Sequence, residues 1–262
     1  EHAFNVYDSQ EILRAAAALR ELHRGKLCIG IFGVPYKCPP APYEMALLLN
    51  ESLKSRDQNV AIEVFTPQPM SLPVLGVVGC GVIEGRLAEK GITFLPNHKA
   101  VAVKPNEVVF VNDRRWYDLL FAIPPHQPPA VVRQSGLVDE SGWIPVNPRT
   151  LETTFPGVYA IGDVVHIAMK DGKPLPKAGV FAEAMGEVAA ERIAADLGRR
   201  KSDATFSGEG GCYLEVGEGR AMKVQGSFLV EPAPQVELTD PSPIYLEEKR
   251  AFERDRLQAW FG

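Results

Sequence analysis

Cys38 lies where a redox-active thiol would be expected. It belongs to the stretch GVPYKCPPAPYE, which follows an apolar, strand-like run and precedes a helix-like segment. A strand–loop–helix unit usually holds a nucleotide phosphate on a glycine-rich loop, but residues 33–40 lack the second and third glycines and carry prolines instead. Binding of NAD(P)H in the usual way is therefore not expected. A cysteine just before a helix start and next to Lys37 lies where the thiolate is favoured, which predicts redox chemistry at Cys38.

A second chemical signal is the phrase TTFPGVYAIGDVV. A strand that ends in Gly162-Asp163 places a carboxylate at the carboxyl edge of a parallel sheet, where open α/β folds bind their ligands. Gly162 allows a ligand to approach the backbone, and the Asp163 carboxylate can accept hydrogen bonds from the hydroxyl groups of a polyol. The dipeptide Gly-Asp alone would be explained better by a strand that simply ends in a turn. The complete stretch TTFPGVYAIGDVV favours a ligand site.

The overall composition excludes several classes of function. The 262-residue chain is 45% hydrophobic and 23% charged, and its formal net charge of −5 provides no general basic field for nucleic acid. No apolar run approaches the length that crosses a bilayer. Four scattered cysteines fit neither a disulfide scaffold nor a zinc site, so no metal is predicted. Cys28, which lies in an apolar strand, and Cys80 are predicted to be structural.

The spacing of apolar residues and turn formers predicts a Rossmann-like βαβ unit followed by a β-meander. Predicted helices cover residues 9–22, 42–56, 81–91 and about 178–197, and a charged helix ends the chain. Predicted strands cover residues 26–32, 59–65, 92–95, 101–103, 108–111, 119–123 and 157–161. A glycine-rich hairpin is expected after residue 201.

The stretch TLETTFPGVYAIGDVV resembles the second flavin motif of flavoproteins with two dinucleotide-binding domains. The resemblance implies FAD as the cofactor, with Asp163 holding the ribityl chain beside Gly162. This superfamily also sets a helix N-terminus against the flavin pyrimidine, and PLPKAGVFAEAMGEVAAERIAADL fits that role. Lys177, Ala178 and Gly179 would form that helix start, where the lysine and the positive end of the helix dipole stabilise charge on the reduced ring.

KCPPAPYE is similar to the stretch around one redox cysteine in the family of sulfide:quinone oxidoreductases and flavocytochrome c sulfide dehydrogenases. In those enzymes a second cysteine follows the flavin-contacting helix, and GEGGCYLEV puts Cys212 in that place. The tail EKRAFERDRLQAWFG also resembles the end of those proteins. The resemblance implies an FAD-dependent oxidoreductase that oxidises sulfide, or another small sulfur species, to sulfur or polysulfide. The Cys38–Cys212 pair would carry that step, and electrons would pass to quinone or cytochrome c.

The resemblance also predicts the fold class, which is α/β with the two-dinucleotide-binding-domain flavoprotein fold. It divides the chain into a middle domain with the redox Cys38 (residues 1–115), the C-terminal half of the FAD-binding domain (116–200) and a small α+β cap with Cys212 and the terminal helix (201–262). The N-terminal GxGxxG unit for the ADP half of FAD is not in this sequence. The chain is therefore expected to be a fragment that is inactive by itself.

Two other functions stay open at this point. A type II NADH:quinone dehydrogenase shares the architecture and the Gly-Asp motif, and a non-catalytic remnant would have lost its flavin half. Leu257, Trp260 and Phe261 form an apolar patch on the charged terminal helix, which either touches a membrane surface or packs on its own domain. The sequence leaves open a homo-oligomer, the electron acceptor and the compartment, which is cytoplasmic or periplasmic.

Overall fold

The first part of the chain builds a parallel sheet and a smaller antiparallel sheet. The computed structural model describes residues 2–262. In chain order the first elements are β1 (Phe4–Asn5), α1 (Glu11–Glu21), β2 (Arg24–Ile31), α2 (Ala41–Ser55), β3 (Asn59–Phe65), α3 (Gly76–Glu89) and β4 (Thr93–Leu95). They are followed by β5 (Ala100–Lys104), β6 (Glu107–Phe110), β7 (Arg114–Trp116) and β8 (Leu119–Ile123). The five parallel strands lie in the order β1-β8-β2-β3-β4, and β5, β6 and β7 form an antiparallel meander.

The parallel sheet forms because its strands are apolar runs that are covered on both faces. Leu27, Ile29 and Ile31 of β2 pack into the main core together with side chains of α1 and α2. Cys28 points to the other face, into a cluster with Phe65 of β3 and side chains of the meander, and it is fully buried there. The βαβ order with a following meander confirms the predicted α/β fold class.

The second part of the chain has little regular structure before its long helix. It contains α4 (Ala130–Arg133), β9 (Ile144–Pro145), β10 (Val165–His166) and α5 (Gly179–Asp196), and β9 pairs with β10 in parallel. The prediction of a strand over residues 157–161 is wrong. This segment makes a single isolated bridge, Tyr159 opposite Glu152, because residues 2–262 provide no neighbouring strand with which it could form a ladder.

The last part of the chain is an antiparallel sheet followed by a helix. The strands β11 (Glu209–Gly217), β12 (Arg220–Ser227) and β13 (Gln235–Leu238) pair in that order, and α6 (Pro243–Phe261) ends the chain. Ser242 caps α6, because its Oγ accepts a hydrogen bond from the amide of Ile244 at 3.2 Å. β11 packs against α2 and α5, so this sheet contacts both preceding parts of the chain.

The parallel sheet extends past the domain boundary predicted at residue 115. The predicted division assigns β8 to the second domain, but β8 pairs with both β1 and β2. β8, which follows the meander in the chain, thus belongs to the parallel sheet whose other strands precede the meander. The three-domain division itself stays a prediction.

The end of α6 exposes an apolar patch. Leu257, Trp260 and Phe261 are 51%, 60% and 80% exposed, so this patch stays largely uncovered within residues 2–262. Across residues 2–262, no helix has both the length and the apolar character needed to span a membrane.

Candidate functional site

Three strands of the parallel sheet end around one loop. Tyr7 follows β1, residues 33–40 follow β2, and His126 follows β8, all at the carboxyl edge of the sheet. The Tyr7 hydroxyl donates a 2.7 Å hydrogen bond to the carbonyl of Lys37, and the His126 amide donates one of 2.7 Å to the carbonyl of Pro35. Open α/β folds place their ligands at this edge, and here the ends of β8, which pairs with β2, and of β1, the next strand beyond β8, both hold the loop after β2.

The backbone of Cys38 joins this loop to the start of α5. Its amide donates a 2.8 Å hydrogen bond to the carbonyl of Lys177, and Lys37 and Lys177 form an isolated parallel bridge. Cys38 has a φ of +53°, a left-handed conformation that residues other than glycine rarely adopt. The predicted redox cysteine and the helix predicted to contact the flavin are therefore held together by main-chain hydrogen bonding.

Asp163 lies on a short 3-10 turn, Gly162–Val164, that packs on α5. Gly162 has a φ of +71°, and a Cβ at this position would come within 3.3 Å of α5. Asp163 Oδ2 is 3.5 Å from Nε2 of His126, whose ring stacks on Trp143 with 5.5 Å between the ring centroids. Burial lowers the pKa of His126 below its usual value, although Asp163 opposes this shift. His126 is therefore mainly neutral at pH 7.

Lys177 is a buried cation that lies over an aromatic ring. Only 7% of the residue is exposed. Its Nζ donates a 2.6 Å hydrogen bond to the carbonyl of Val165 and lies 3.9 Å from the centroid of the Trp143 ring. Burial lowers the pKa of Lys177 to about 8, and the Asp163 carboxylate opposes part of that shift. The ammonium group thus titrates much closer to neutral pH than that of an exposed lysine.

The burial of Lys177 predicts a pH-dependent stability difference. Its pKa is about 8 in the folded chain and 10.5 for an unperturbed lysine, so the unfolded chain binds more protons between these values. The resulting destabilisation, about 3 kcal/mol below the folded-state pKa, disappears as the pH rises. The free energy of unfolding of the wild type should therefore increase relative to that of Lys177→Met between about pH 7 and pH 10, as measured by urea denaturation. A difference in the free energy of unfolding that stays constant over this pH range for Lys177→Met would contradict the prediction.

Cys212 is held close to α5 and β12 by two glycines that precede it on β11. A Cβ on Gly210 would lie 2.4 Å from the ring of Phe181 on α5, and one on Gly211 would lie 2.6 Å from the carbonyl of Val224 on β12. Burial raises the pKa of Cys212 to about 12, and the thiol of Cys38 adds to the increase. The segments that carry the two predicted redox cysteines thus both approach α5, Cys38 through its amide bond to Lys177 and Cys212 through Gly210, and both cysteines are free thiols in the structure.

The prediction that the thiolate is favoured at Cys38 is wrong. The side chain reaches solvent, yet the surrounding protein partly desolvates the thiol and raises its pKa, and the Glu44 carboxylate adds to the increase. The amide of Ala41 and the ammonium of Lys249 lower the pKa, but they do not reverse the shift. As a free thiol, Cys38 is therefore protonated at neutral pH.

Three further side chains belong to this site, although the sequence did not single them out. Tyr7 holds the loop, while His126 and Trp143 stack beside Asp163 and Lys177. His126 carried a usable signal, since it follows a correctly predicted strand and lies within a run of prolines. Trp143 carried none, because it reaches the site only through the packing of a segment with little regular structure.

The residues predicted to contact the flavin lie in one cleft. Gly162, Asp163, Lys177 and Ala178 line it, and Gly179 begins α5 directly beside them. The first amides of a helix have no partner within the helix, so this end of α5 offers hydrogen-bond donors and a positive dipole. A carboxylate acceptor, a buried ammonium and a helix N-terminus match the hydroxyl groups of a ribityl chain and the pyrimidine edge of a flavin. The residues present therefore fit the flavin half of FAD.

Most of the chain is similar to proteins of known type. The family model for pyridine nucleotide-disulphide oxidoreductases matches residues 44–186. The mitochondrial sulfide:quinone oxidoreductase of Mus musculus is 20% identical to this chain over 86% of its length. That of Schizosaccharomyces pombe is 24% identical over 75% of the chain. The X-ray structure of the sulfide:quinone oxidoreductase from the hyperthermophilic bacterium Aquifex aeolicus matches 98% of the chain with a TM-score of 0.82 and 23% identity, and therefore shares its fold.

These similar proteins are longer than the chain. The matches cover 51% of the Mus musculus protein, 44% of the Schizosaccharomyces pombe protein and 64% of the Aquifex aeolicus chain. The chain thus spans about half the length of the curated relatives that it matches.

Proposed function

The chain belongs to the pyridine nucleotide-disulphide oxidoreductase family of FAD-dependent enzymes, and on that basis we propose that it carries the sulfur chemistry of a sulfide-oxidising enzyme. The substrate would be sulfide, which the Cys38–Cys212 pair oxidises to sulfur or polysulfide. Electrons would then pass by way of FAD to quinone, with cytochrome c as the alternative acceptor. The printed names of the two curated relatives, both sulfide:quinone oxidoreductases, support this choice of substrate and acceptor.

The hydrogen bond from the Cys38 amide to the Lys177 carbonyl is the observation that carries the proposal. It supports the proposal because Lys177 directly precedes the helix that would contact the flavin. The close approach of Gly210 to Phe181 adds support, since it brings the strand of Cys212 against the same helix and a disulfide requires the two cysteines to approach each other. Two neighbouring cysteines beside a flavin site are what two-electron thiol chemistry needs.

The first step is a thiol–disulfide exchange on oxidised Cys38–Cys212. Hydrosulfide attacks one of the two sulfur atoms, the S–S bond breaks, and its electron pair leaves on the other cysteine as a thiolate. The attacked cysteine now carries the added sulfur as a persulfide. A second hydrosulfide attacks that outer sulfur, which departs in a hydrogen disulfide anion, and the cysteine returns to the thiol. The sulfide sulfur has been oxidised and the cysteine pair has been reduced by two electrons.

The side chains around the pair have separate roles in this scheme. When bound, FAD supplies the two-electron acceptor that regenerates the disulfide. Asp163 would accept hydrogen bonds from the ribityl hydroxyls, and Lys177 with the start of α5 would stabilise negative charge at the pyrimidine edge. Tyr7 keeps the loop in place through its 2.7 Å hydrogen bond to Lys37.

Reduction of the bound flavin tests the proposed substrate. In the full-length, flavin-loaded protein that contains this chain, sulfide should rapidly bleach the visible flavin absorbance, whereas NADH should not. The opposite result, with bleaching by NADH alone, would favour a type II NADH:quinone dehydrogenase, even though the prolines of residues 33–40 oppose nucleotide binding there. A full-length protein containing this chain that takes up no flavin would instead indicate a non-catalytic remnant.

The exposed end of α6 is proposed to contact the membrane in which quinone dissolves. Burying the two aromatic rings in an interface would contribute about 1.5–3 kcal/mol each. Replacing both Trp260 and Phe261 by alanine should therefore lower co-sedimentation with lipid vesicles at least roughly tenfold. Trp116→Ala provides the matched control, because Trp116 is also 61% exposed but lies on the meander. Equal losses for the control and the double variant would remove the specific role of α6.

A further inference from the structure

An ion cluster links the elements that carry the two cysteines. Lys249 of α6 places its Nζ 2.8 Å from Glu44 Oε1 and 2.9 Å from Glu215 Oε1. Glu44 lies in the first turn of α2, and its second oxygen accepts a 2.7 Å hydrogen bond from the amide of Glu215 on β11. We call Glu44, Glu215 and Lys249 the carboxylate–lysine cluster. It ties together α2, β11 and α6.

Both thiols belong to segments that this cluster joins, and the Cys38 carbonyl accepts a 3.0 Å hydrogen bond from the amide of Ala41, in the same first turn of α2 as Glu44. Cys38 is in the loop that leads into α2, and Cys212 is on the same strand as Glu215. The Glu44 carboxylate raises the pKa of each thiol, and the Lys249 ammonium lowers the pKa of each. The three cluster side chains are only 22–31% exposed, so solvent and salt screen their charges incompletely.

We propose that Glu44 and Lys249 set the reactivity of the Cys38–Cys212 pair through opposing charges, with Lys249 favouring the thiolates and Glu44 disfavouring them. The inference rests on the proposed function in taking these two cysteines as the redox pair. Each exchange step releases one cysteine as a thiolate, so a nearby ammonium stabilises the leaving group, while the carboxylate limits ionisation of the resting thiol. Glu215 acts as a positioning residue that holds Lys249.

Other titratable and charged groups also surround the pair. Those near Cys38 are Asp163 on the 3-10 turn, Tyr7 after β1, and Tyr36 and Lys37 in its own loop, and Cys38 in turn raises the pKa of Cys212. Burial raises the pKa of both Tyr7 and Tyr36, so these tyrosines are uncharged at neutral pH. Asp163 raises the pKa of Cys38 and stays unchanged in the variants described next.

The pH dependence of thiol alkylation tests the opposing charges. Cys212→Ser isolates Cys38, because Cys28 and Cys80 are buried. In that background, Lys249→Met should raise the pH midpoint of the reaction with iodoacetamide by about one unit, which makes the reaction roughly tenfold slower below the midpoint. Glu44→Gln should lower the midpoint by a similar amount, and the double variant should return it close to that of the parent.

A purely structural cluster would give a different pattern, because loss of packing changes thiol access in the same direction for both substitutions. Lys249→Arg retains the charge and should retain the midpoint. Lys223→Met is the matched control, since Lys223 of β12 pairs with Glu248 of α6 at 2.8 Å and its removal also breaks a contact to α6. Shifts of the same sign for Lys249→Met and Glu44→Gln, no shift for either, or an equal shift for Lys223→Met would each overturn the inference.

The test stays decisive if Lys249→Met does not fold. Glu44→Gln alone then decides, since a lower midpoint supports the inference and an unchanged or higher midpoint overturns it. The alkylation assay uses the reduced protein and needs neither sulfide nor flavin reduction. A failure of this inference is therefore distinguishable from a failure of the proposed sulfide oxidation.

Discussion

Cys38→Ser is expected to abolish flavin reduction by sulfide in the full-length, flavin-loaded protein, with a loss of rate of about a thousandfold or more. A serine oxygen forms neither a disulfide nor a persulfide, so hydrosulfide has no S–S bond to attack. The contact of Cys38 with α5 runs through its backbone amide, which serine retains, and therefore the bound FAD should be unaffected. Stopped-flow absorbance at equal flavin content measures the rate, and Cys212→Ser should show the same loss.

Cys80→Ser provides the matched control for the loss of a thiol. The Cys80 thiol is buried and donates to the carbonyl of Leu72 at 3.0 Å, a hydrogen bond that a serine hydroxyl can replace. Its rate of flavin reduction should equal that of the wild type. If Cys38→Ser reduced its flavin at the wild-type rate, or if Cys80→Ser lost as much of the rate as Cys38→Ser, Cys38 would have no specific part in the mechanism.

Asp163→Ala should weaken FAD retention by about tenfold to a hundredfold. A hydrogen bond to a charged group contributes about 1.5–3 kcal/mol, and the alanine leaves the polyol hydroxyls without this acceptor. The side chain is partly exposed in the cleft beside His126, so its removal should have little effect on the core. Equilibrium dialysis against free FAD gives the dissociation constants.

Two variants make the Asp163 result specific. Asp163→Asn keeps an acceptor oxygen without the charge and should lie between the wild type and the alanine variant. Asp240→Ala removes an exposed carboxylate outside the cleft and should leave FAD retention unchanged. If Asp163→Ala retained FAD as tightly as the wild type, Asp163 would have no part in holding the ribityl chain.

Elements that follow local sequence patterns could be predicted closely. β3 and β8 have the predicted bounds, and α2 and α5 differ from their predictions by one residue at each end. Apolar runs set these strands, while proline and glycine mark their ends. α3 begins earlier than predicted, at Gly76, because its glycines weaken the helical pattern without ending the helix.

Properties that depend on distant segments could not be predicted. Residues 157–161 have the composition of a strand, but a strand also needs a neighbour, which local sequence does not reveal. The pKa of Cys38 depends on its burial and on the charges of Glu44 and Lys249, and Lys249 lies on the last helix of the chain. The stacking of His126 on Trp143 likewise exists only after the chain has folded.

The left-handed backbone at Cys38 lowers the stability of the folded chain, although the thiol at this position is needed for the proposed chemistry. A residue with a Cβ loses about 1–2 kcal/mol in this conformation, a loss that glycine would avoid. A laboratory selection for heat resistance alone would thus tend to replace this cysteine by glycine or asparagine. A related protein that keeps cysteine at this position would retain it despite the lower stability. The residue at this position would therefore distinguish relatives that keep the redox chemistry from those that keep only the fold.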